Sequence, residues 1–187
     1  RKEGGMSFHP TTQRLILRAP MLSDVQDVVR ILNDFDVAKN LTLVPIPFTE
    51  EQFRSRLVEI ERARRAGAEF LFAVTRAMDG SFIGMCGVER LETDVWELGY
   101  WYGKPFWRQG YATEAARAVM RFAFDDLGAM MLTAGWFVDN PASGRVLEKL
   151  GFVGTGTMQR HCVSRGAEVA SNRMLLTRDE FARKKAA

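Results

Sequence analysis

The sequence predicts a single mixed α/β domain, with one sheet of about seven strands and helices on both faces. Three observations predict it. Seven short runs concentrate or alternate apolar residues at strand spacing, as in Phe70–Arg76 and Phe82–Leu91. Stripes at helical spacing lie between them, as in Ala112, Ala115, Ala116, Val119, Met120 and Ala123. Turn and cap signals separate the two kinds, giving the order β-α-α-β-β-β-α-β-α-β-β-α. A chain of 187 residues without linker, repeat or low-complexity stretch suits one domain. Arg1–Gly5, ahead of Met6, read as an expression remnant, which leaves residues 6–187 as the domain.

In order, Gln13–Arg18 (QRLILR) is a short strand. Ser23-Asp24-Val25-Gln26 has the form of a capping box, opening a helix whose Val25, Val28, Val29 and Leu32 share a face. Asn33–Phe48 lacks a strong period and carries Pro45 and Pro47; long irregular stretches in compact domains are often functional. Thr49–Gln52 is a second capping box, and its charged helix runs to about Ala66, where Gly67 ends it. Asp79-Gly80 marks a hairpin between two strands. Ala129–Val138 is a later strand. Asn140 and Pro141 suit the N-cap and first position of the helix after it, and Gly151 suits its left-handed end. Phe152–Val163 and Glu168–Thr177 close the sheet as a hairpin, and Thr177–Glu180 caps a terminal helix.

The stretch Trp96–Glu114 (WELGYWYGKPFWRQGYATE) carries the chemistry. Trp96, Leu98, Tyr100 and Tyr102 point one way in a strand. Glu97, Gly99, Trp101 and Gly103 point the other, and glycines inside a strand often mark close approach by a ligand. Lys104-Pro105 breaks the strand. Gly110–Leu127 then forms a helix with Glu114, Arg117, Arg121 and Asp125 on its solvated face. The turn between them, Trp107–Thr113, offers backbone N–H groups at a helix N-terminus, with Gly110 permitting close approach and Arg108 adding a cation. Such a turn binds phosphate. It is neither the nucleotide-triphosphate loop nor the dinucleotide fingerprint, which need residues absent here.

Composition excludes several classes. With 47% hydrophobic and 26% charged residues, the chain is ordinary for a globular protein. A net charge of +3 without an arginine run gives little ground for nucleic-acid binding. Cys86, Cys162, His9 and His161 have no metal-ligand spacing, and two packing cysteines fit a cytoplasmic protein. No apolar run reaches transmembrane length.

Arg14–Arg18 (RLILR), Trp107–Glu114 (WRQGYATE) and Asp139–Phe152 (DNPASGRVLEKLGF) together resemble the GNAT acetyltransferases, within the branch typified by ribosomal-protein-alanine N-acetyltransferases. The resemblance spans Thr12–Phe181. It implies a mostly antiparallel twisted sheet whose two central strands splay around acetyl-CoA. By position, the N–H groups of Arg108, Gln109, Gly110, Tyr111, Ala112 and Thr113 would hold the pyrophosphate. The backbone of Trp101, Tyr102 and Gly103 would pair with the pantetheine amides, and Asn140 and Ser143 would bond the arm near the thioester. Two departures stand out: Arg108 occupies a position where glycine is usual, so its side chain must point outward, and Leu147 replaces the tyrosine that many relatives use as general acid. Ser143 is then the family-like proton donor.

The implied reaction is direct attack of a primary amine, either a peptide N-terminus or a small amine, on the thioester. An α-amine of pKa about 7.8 costs about 1 kcal/mol to deprotonate at neutral pH, and a lysine at about 10.4 costs ~4.6 kcal/mol. A base is therefore useful. Glu97 is the candidate, since this branch places a carboxylate on that face, and Glu89 is the second choice. An acceptor pocket is expected between the Asn33–Phe48 loop and the Cys162–Gly166 hairpin, with Asp34, Asp36 and His161 near it. The rival class is a non-catalytic acyl-CoA-binding or regulatory module of the same fold. Subunit pairing through the exposed terminal hairpin would give a homodimer.

Overall fold

The computed structural model describes residues 10–186, so the remnant assigned to Arg1–Gly5 lies outside the described residues. Strands β1 (Leu15–Arg18), β2 (Glu69–Arg76), β3 (Phe82–Glu92), β4 (Val95–Tyr102), β5 (Met131–Phe137), β6 (Val153–Cys162) and β7 (Ala167–Thr177) form one sheet. Its order is β1-β2-β3-β4-β5-β7-β6. Every neighbouring pair is antiparallel except β4 and β5, because a helical crossover joins those two. The helices are α1 (Val25–Leu32), α2 (Phe35–Ala38), α3 (Glu50–Arg65), α4 (Tyr111–Arg121), α5 (Pro141–Leu150) and α6 (Arg178–Ala186).

Two cores sandwich the sheet. On one face, Ala115, Ala116, Val119 and Met120 of α4 and Leu147 of α5 share a core with Leu17, Phe72, Leu98 and Leu132. Small residues let α4 lie close on the strands, and burial of the larger ones stabilises by about 1.5–3 kcal/mol each. On the other face, Val28 and Ile31 of α1 and Phe53 of α3 pack on Ala73 of β2 and Met85 of β3. That second core extends only to Trp101 of β4; it draws no residue from β5, β6 or β7.

Local signals worked where the partner was near in sequence. The Thr49 Oγ1 accepts from the Gln52 amide while the Gln52 side chain accepts from the Thr49 amide. Gly67 and Gly151 take positive φ after α3 and α5. Three expectations need correction. The first capping residue is Asp24, not Ser23: Asp24 accepts from the Met21 amide and pairs bidentately with Arg18 at 2.6 and 2.8 Å. The helix after the Trp107–Gly110 turn ends in a π-helical segment, Phe122–Asp126, whose wider turn buries Phe122, Ala123 and Phe124 together. Glu114 is not part of a solvated face, because Thr12 and Arg14 hold it.

Gly144 of α5 lies against Trp136 of β5: a Cβ there would come within 2.6 Å of the indole. Gly144→Ala should therefore displace the ring and lower stability by about 2 kcal/mol, in the range for overpacking. A urea-unfolding midpoint matching the parent would refute this.

Candidate functional site

The central turn has the geometry of an anion cradle. Arg108 has φ of 61° and Gly110 of 82°, so the chain bends through two left-handed residues before α4. The first bond into the helix runs from the Glu114 amide to the Gly110 carbonyl at 3.0 Å. Ahead of it, the amides from Arg108 to Thr113 have no hydrogen-bond acceptor among the described residues. Such amides, at the positive end of α4, suit a diphosphate. Arg108 is exposed, as a side chain in its position requires.

The cradle is braced from β1. Arg14 Nη1 donates to the Gln109 carbonyl at 2.9 Å, Arg14 Nε donates to Glu114 at 2.7 Å, and the guanidinium lies over the Tyr111 ring. Burial works against ionisation of Glu114, yet bonds from Thr12 and Arg14 hold its carboxyl below its ordinary value. This explains Arg14 of the RLILR motif: it ties the turn to the sheet.

Beside the cradle the sheet opens. Parallel pairing joins only Val95–Met131, Trp96–Leu132 and Glu97–Thr133. Past that point β4 stays on β3 and β5 stays on β7, so the two strands separate. The Gly103 amide donates to Ile83 and its carbonyl accepts from Phe106, so both its backbone groups are occupied. Alternation along an antiparallel ladder then turns Trp101 toward β3 as well, and turns Leu98, Tyr100 and Tyr102 toward the gap. Of the three backbone positions expected to meet pantetheine, only Tyr102 faces it. Its carbonyl accepts from the Trp107 indole at 2.7 Å.

Across the gap, Asn140 caps α5 as expected, with its Oδ1 accepting from the Ser143 amide at 3.4 Å. Leu147 is fully buried and takes no part in the gap. A phenol of β4 reaches Ser143 instead. Tyr100 Oη lies 2.9 Å from Ser143 Oγ and 3.2 Å from the Ser143 carbonyl. Burial pushes the Tyr100 hydroxyl well above its ordinary pKa, so it stays protonated. The sequence placed Tyr100 only on a core face. The overlooked signal was tyrosine in place of phenylalanine there, since a buried phenol needs a partner.

Glu97 stands where the strands part, on the opposite face. Its Oε1 accepts from Arg173 at 2.5 Å and from Arg160 at 3.4 Å. Glu89 stands directly across from it on β3, exposed and without an ion pair among the described residues. The two arginines, remote in sequence, were not foreseen. The expected pocket between loop and hairpin is corrected: the two segments are bonded together and form one wall. The Val163 amide donates to Thr42 at 3.0 Å, and Arg165 Nε donates to Lys39 at 2.7 Å. Asp34 caps α2 by accepting from the Asp36 amide, and Asp36 pairs with Lys104 and Lys39, so Asp36 is not left for an incoming amine. The bond from Lys104 first, with help from Lys39, lowers Asp36 to a pKa of about 2. This latch is intact above the ordinary value of 3.8 and is lost as pH falls through about 2. His161 is exposed and faces Glu168 on the hairpin edge.

Comparison with known proteins agrees with this geometry. The family described as "Acetyltransferase (GNAT) domain" matches residues 14–153. The chain is 25% identical over 174 residues to the uncharacterized N-acetyltransferase p20 of Bacillus licheniformis, covering 91% of this chain and 97% of that one. It is 28% identical over 168 residues to the uncharacterized N-acetyltransferase YoaA of Bacillus subtilis, covering 86% and 92%. Mycobacterium smegmatis RimJ, solved in complex with CoA-disulfide, shares the fold with a TM-score of 0.83 at 18% identity, over 95% of this chain and 90% of that one.

Proposed function

The chain belongs to the GNAT acetyltransferase family and is an acetyl-CoA-dependent N-acetyltransferase, and from that membership we propose that it acetylates a primary amine by direct transfer at the gap between β4 and β5. The observation that carries this reading is the parting of these strands after Glu97 and Thr133, beside a helix N-terminus with open amides. Acetyl-CoA supplies the activated thioester. The amides from Arg108 to Thr113 bind its diphosphate, and the gap-facing edge of β4 aligns its arm, with Asn140 and Ser143 opposite.

A covalent acetyl-enzyme is disfavoured by the cysteines. Both thiols are fully buried, and burial pushes Cys86 far above its ordinary pKa. In direct transfer, a bond forms between the amine nitrogen and the acetyl carbon as the carbon–sulfur bond breaks. The amine proton passes to Glu97, directly or through water, while a hydrogen bond donated by Ser143 Oγ stabilises the departing thiolate, which then takes its proton from the product ammonium or from water. A gap-facing N–H of β4 polarises the acetyl carbonyl. Tyr100 acts through Ser143: its O–H orients the serine hydroxyl, making it a positioning residue.

Free-thiol release from acetyl-CoA across a panel of amines, with mass detection of the acetylated product, tests the reading. Cofactor binding with no release on any amine would favour the non-catalytic module. Tyr100→Phe should lower kcat about tenfold while leaving KM for acetyl-CoA and the melting temperature near the parent values, as expected when one neutral hydrogen bond is lost. A change confined to stability would reduce Tyr100 to a packing role.

A further inference from the structure

The face that carries Glu97 is only half covered. The packing of α1, α2 and α3 reaches Trp101 and stops, and at the hairpin end Phe137, Ser171 and Cys162 are buried; the trough between the two is a partly exposed strip of Glu89, Glu97, Gly99, Arg160 and Arg173. Its floor is bare. A Cβ on Gly99 would meet nothing within 4 Å, and the Arg173 guanidinium lies over Gly135, 3.1 Å from where a Cβ would stand. Charge is divided across its width. Glu89 and Glu97 lie on the β3–β4 side, and Arg160 and Arg173 on the β6–β7 side. Arg165, at the hairpin end, is already paired with Asp139 at 2.6 and 3.1 Å.

The two arginines are not equivalent. Arg173, 22% exposed, crosses Gly135 and meets the Glu97 carboxylate at 2.5 Å, which fixes that group in place. Arg160 is 33% exposed and reaches the same oxygen only at 3.4 Å. It makes no other side-chain hydrogen bond among the described residues, which leaves most of its five N–H donors without a protein partner. A guanidinium with its fork free is a bidentate receptor for a planar or tetrahedral oxyanion. We infer that Arg160 reads an anionic group on the acceptor, so that the acceptor is a primary amine that also carries a carboxylate or a phosphate. This rests on the amine-acetylation reading above. The amine lies toward Glu97 and the acid toward β6, in the direction in which the trough is already polarised.

Matched acceptors test this: an amino acid against its amide, phosphoethanolamine against ethanolamine, and a dipeptide with an acidic second residue against a neutral one. In the full-length protein, kcat/KM from thiol release should favour the anionic member of at least one pair by about tenfold, the scale of one charge-assisted contact. The pair that responds tells carboxylate from phosphate. In Arg160→Gln that ratio should fall to near one, with KM for acetyl-CoA retained. Equal rates within every pair, or a preference that survives Arg160→Gln, would overturn the inference and leave acetyl transfer standing. A second readout does not need turnover: calorimetric titration of the coenzyme A-loaded protein with N-acetylalanine and with N-acetylalaninamide. Tighter binding of the acid, lost in Arg160→Gln, supports the anion site even if no amine releases thiol. Equal binding in the parent protein counts against it.

Discussion

Thr113→Glu should raise the KM for acetyl-CoA about 100-fold while leaving the protein as stable as its parent or slightly more so. Thr113 is the third residue of α4, within the run of open amides. An acid in the first turn of a helix is favourable by about 0.3–1 kcal/mol, so the fold tolerates it. The same charge stands where a diphosphate should lie. At a separation of about 5 Å and an effective dielectric of about 20, like charges repel by about 3 kcal/mol, close to a 100-fold loss of affinity. Stability and binding are thus expected to move in opposite directions, which a general unfolding effect cannot imitate. Steady-state kinetics and a melting curve on the same preparation check it. An unchanged KM would place the diphosphate elsewhere.

Glu97→Gln should lower kcat by about 100-fold, at the low end for loss of a general base, with KM for acetyl-CoA little changed. The deficit should be largest at low pH, where the acceptor amine is mostly protonated and removal of its proton limits the rate. Two arginines point at the carboxylate, so glutamine also leaves them without a counter-charge. A pH–rate series for both forms separates the possibilities. A uniform small loss at all pH values would reduce Glu97 to an anchor for Arg173, and would transfer the base role to Glu89, its exposed neighbour across the ladder.

What the sequence made legible follows the range of each interaction. The N-cap at Asn140, the box at Thr49–Gln52 and the left-handed residue at Gly151 are settled within four positions of the chain, and all three hold. The alternation of β4 correctly separated Trp96, Leu98 and Tyr102 from Glu97, because strand period needs no partner to be read. The directions of backbone groups were not legible. They depend on the register with β3, which makes Gly103 donate to Ile83 instead of facing the gap. Charged partners were missed for the same reason. Glu114 meets Arg14 a hundred positions earlier, and Glu97 meets Arg173 seventy-six positions later. Arg18 overrode the local serine cap by drawing Asp24 into an ion pair. Asp36 was placed near an acceptor pocket and not in a latch, because the lysine that holds it leaves from the far end of β4.

A crystal structure of the protein with coenzyme A tests the central claim most directly. The diphosphate is expected to sit on the amides from Arg108 to Thr113, with the pantetheine arm leaving between β4 and β5 toward Ser143. Coenzyme A seated on another surface, with those amides facing only water, would contradict it.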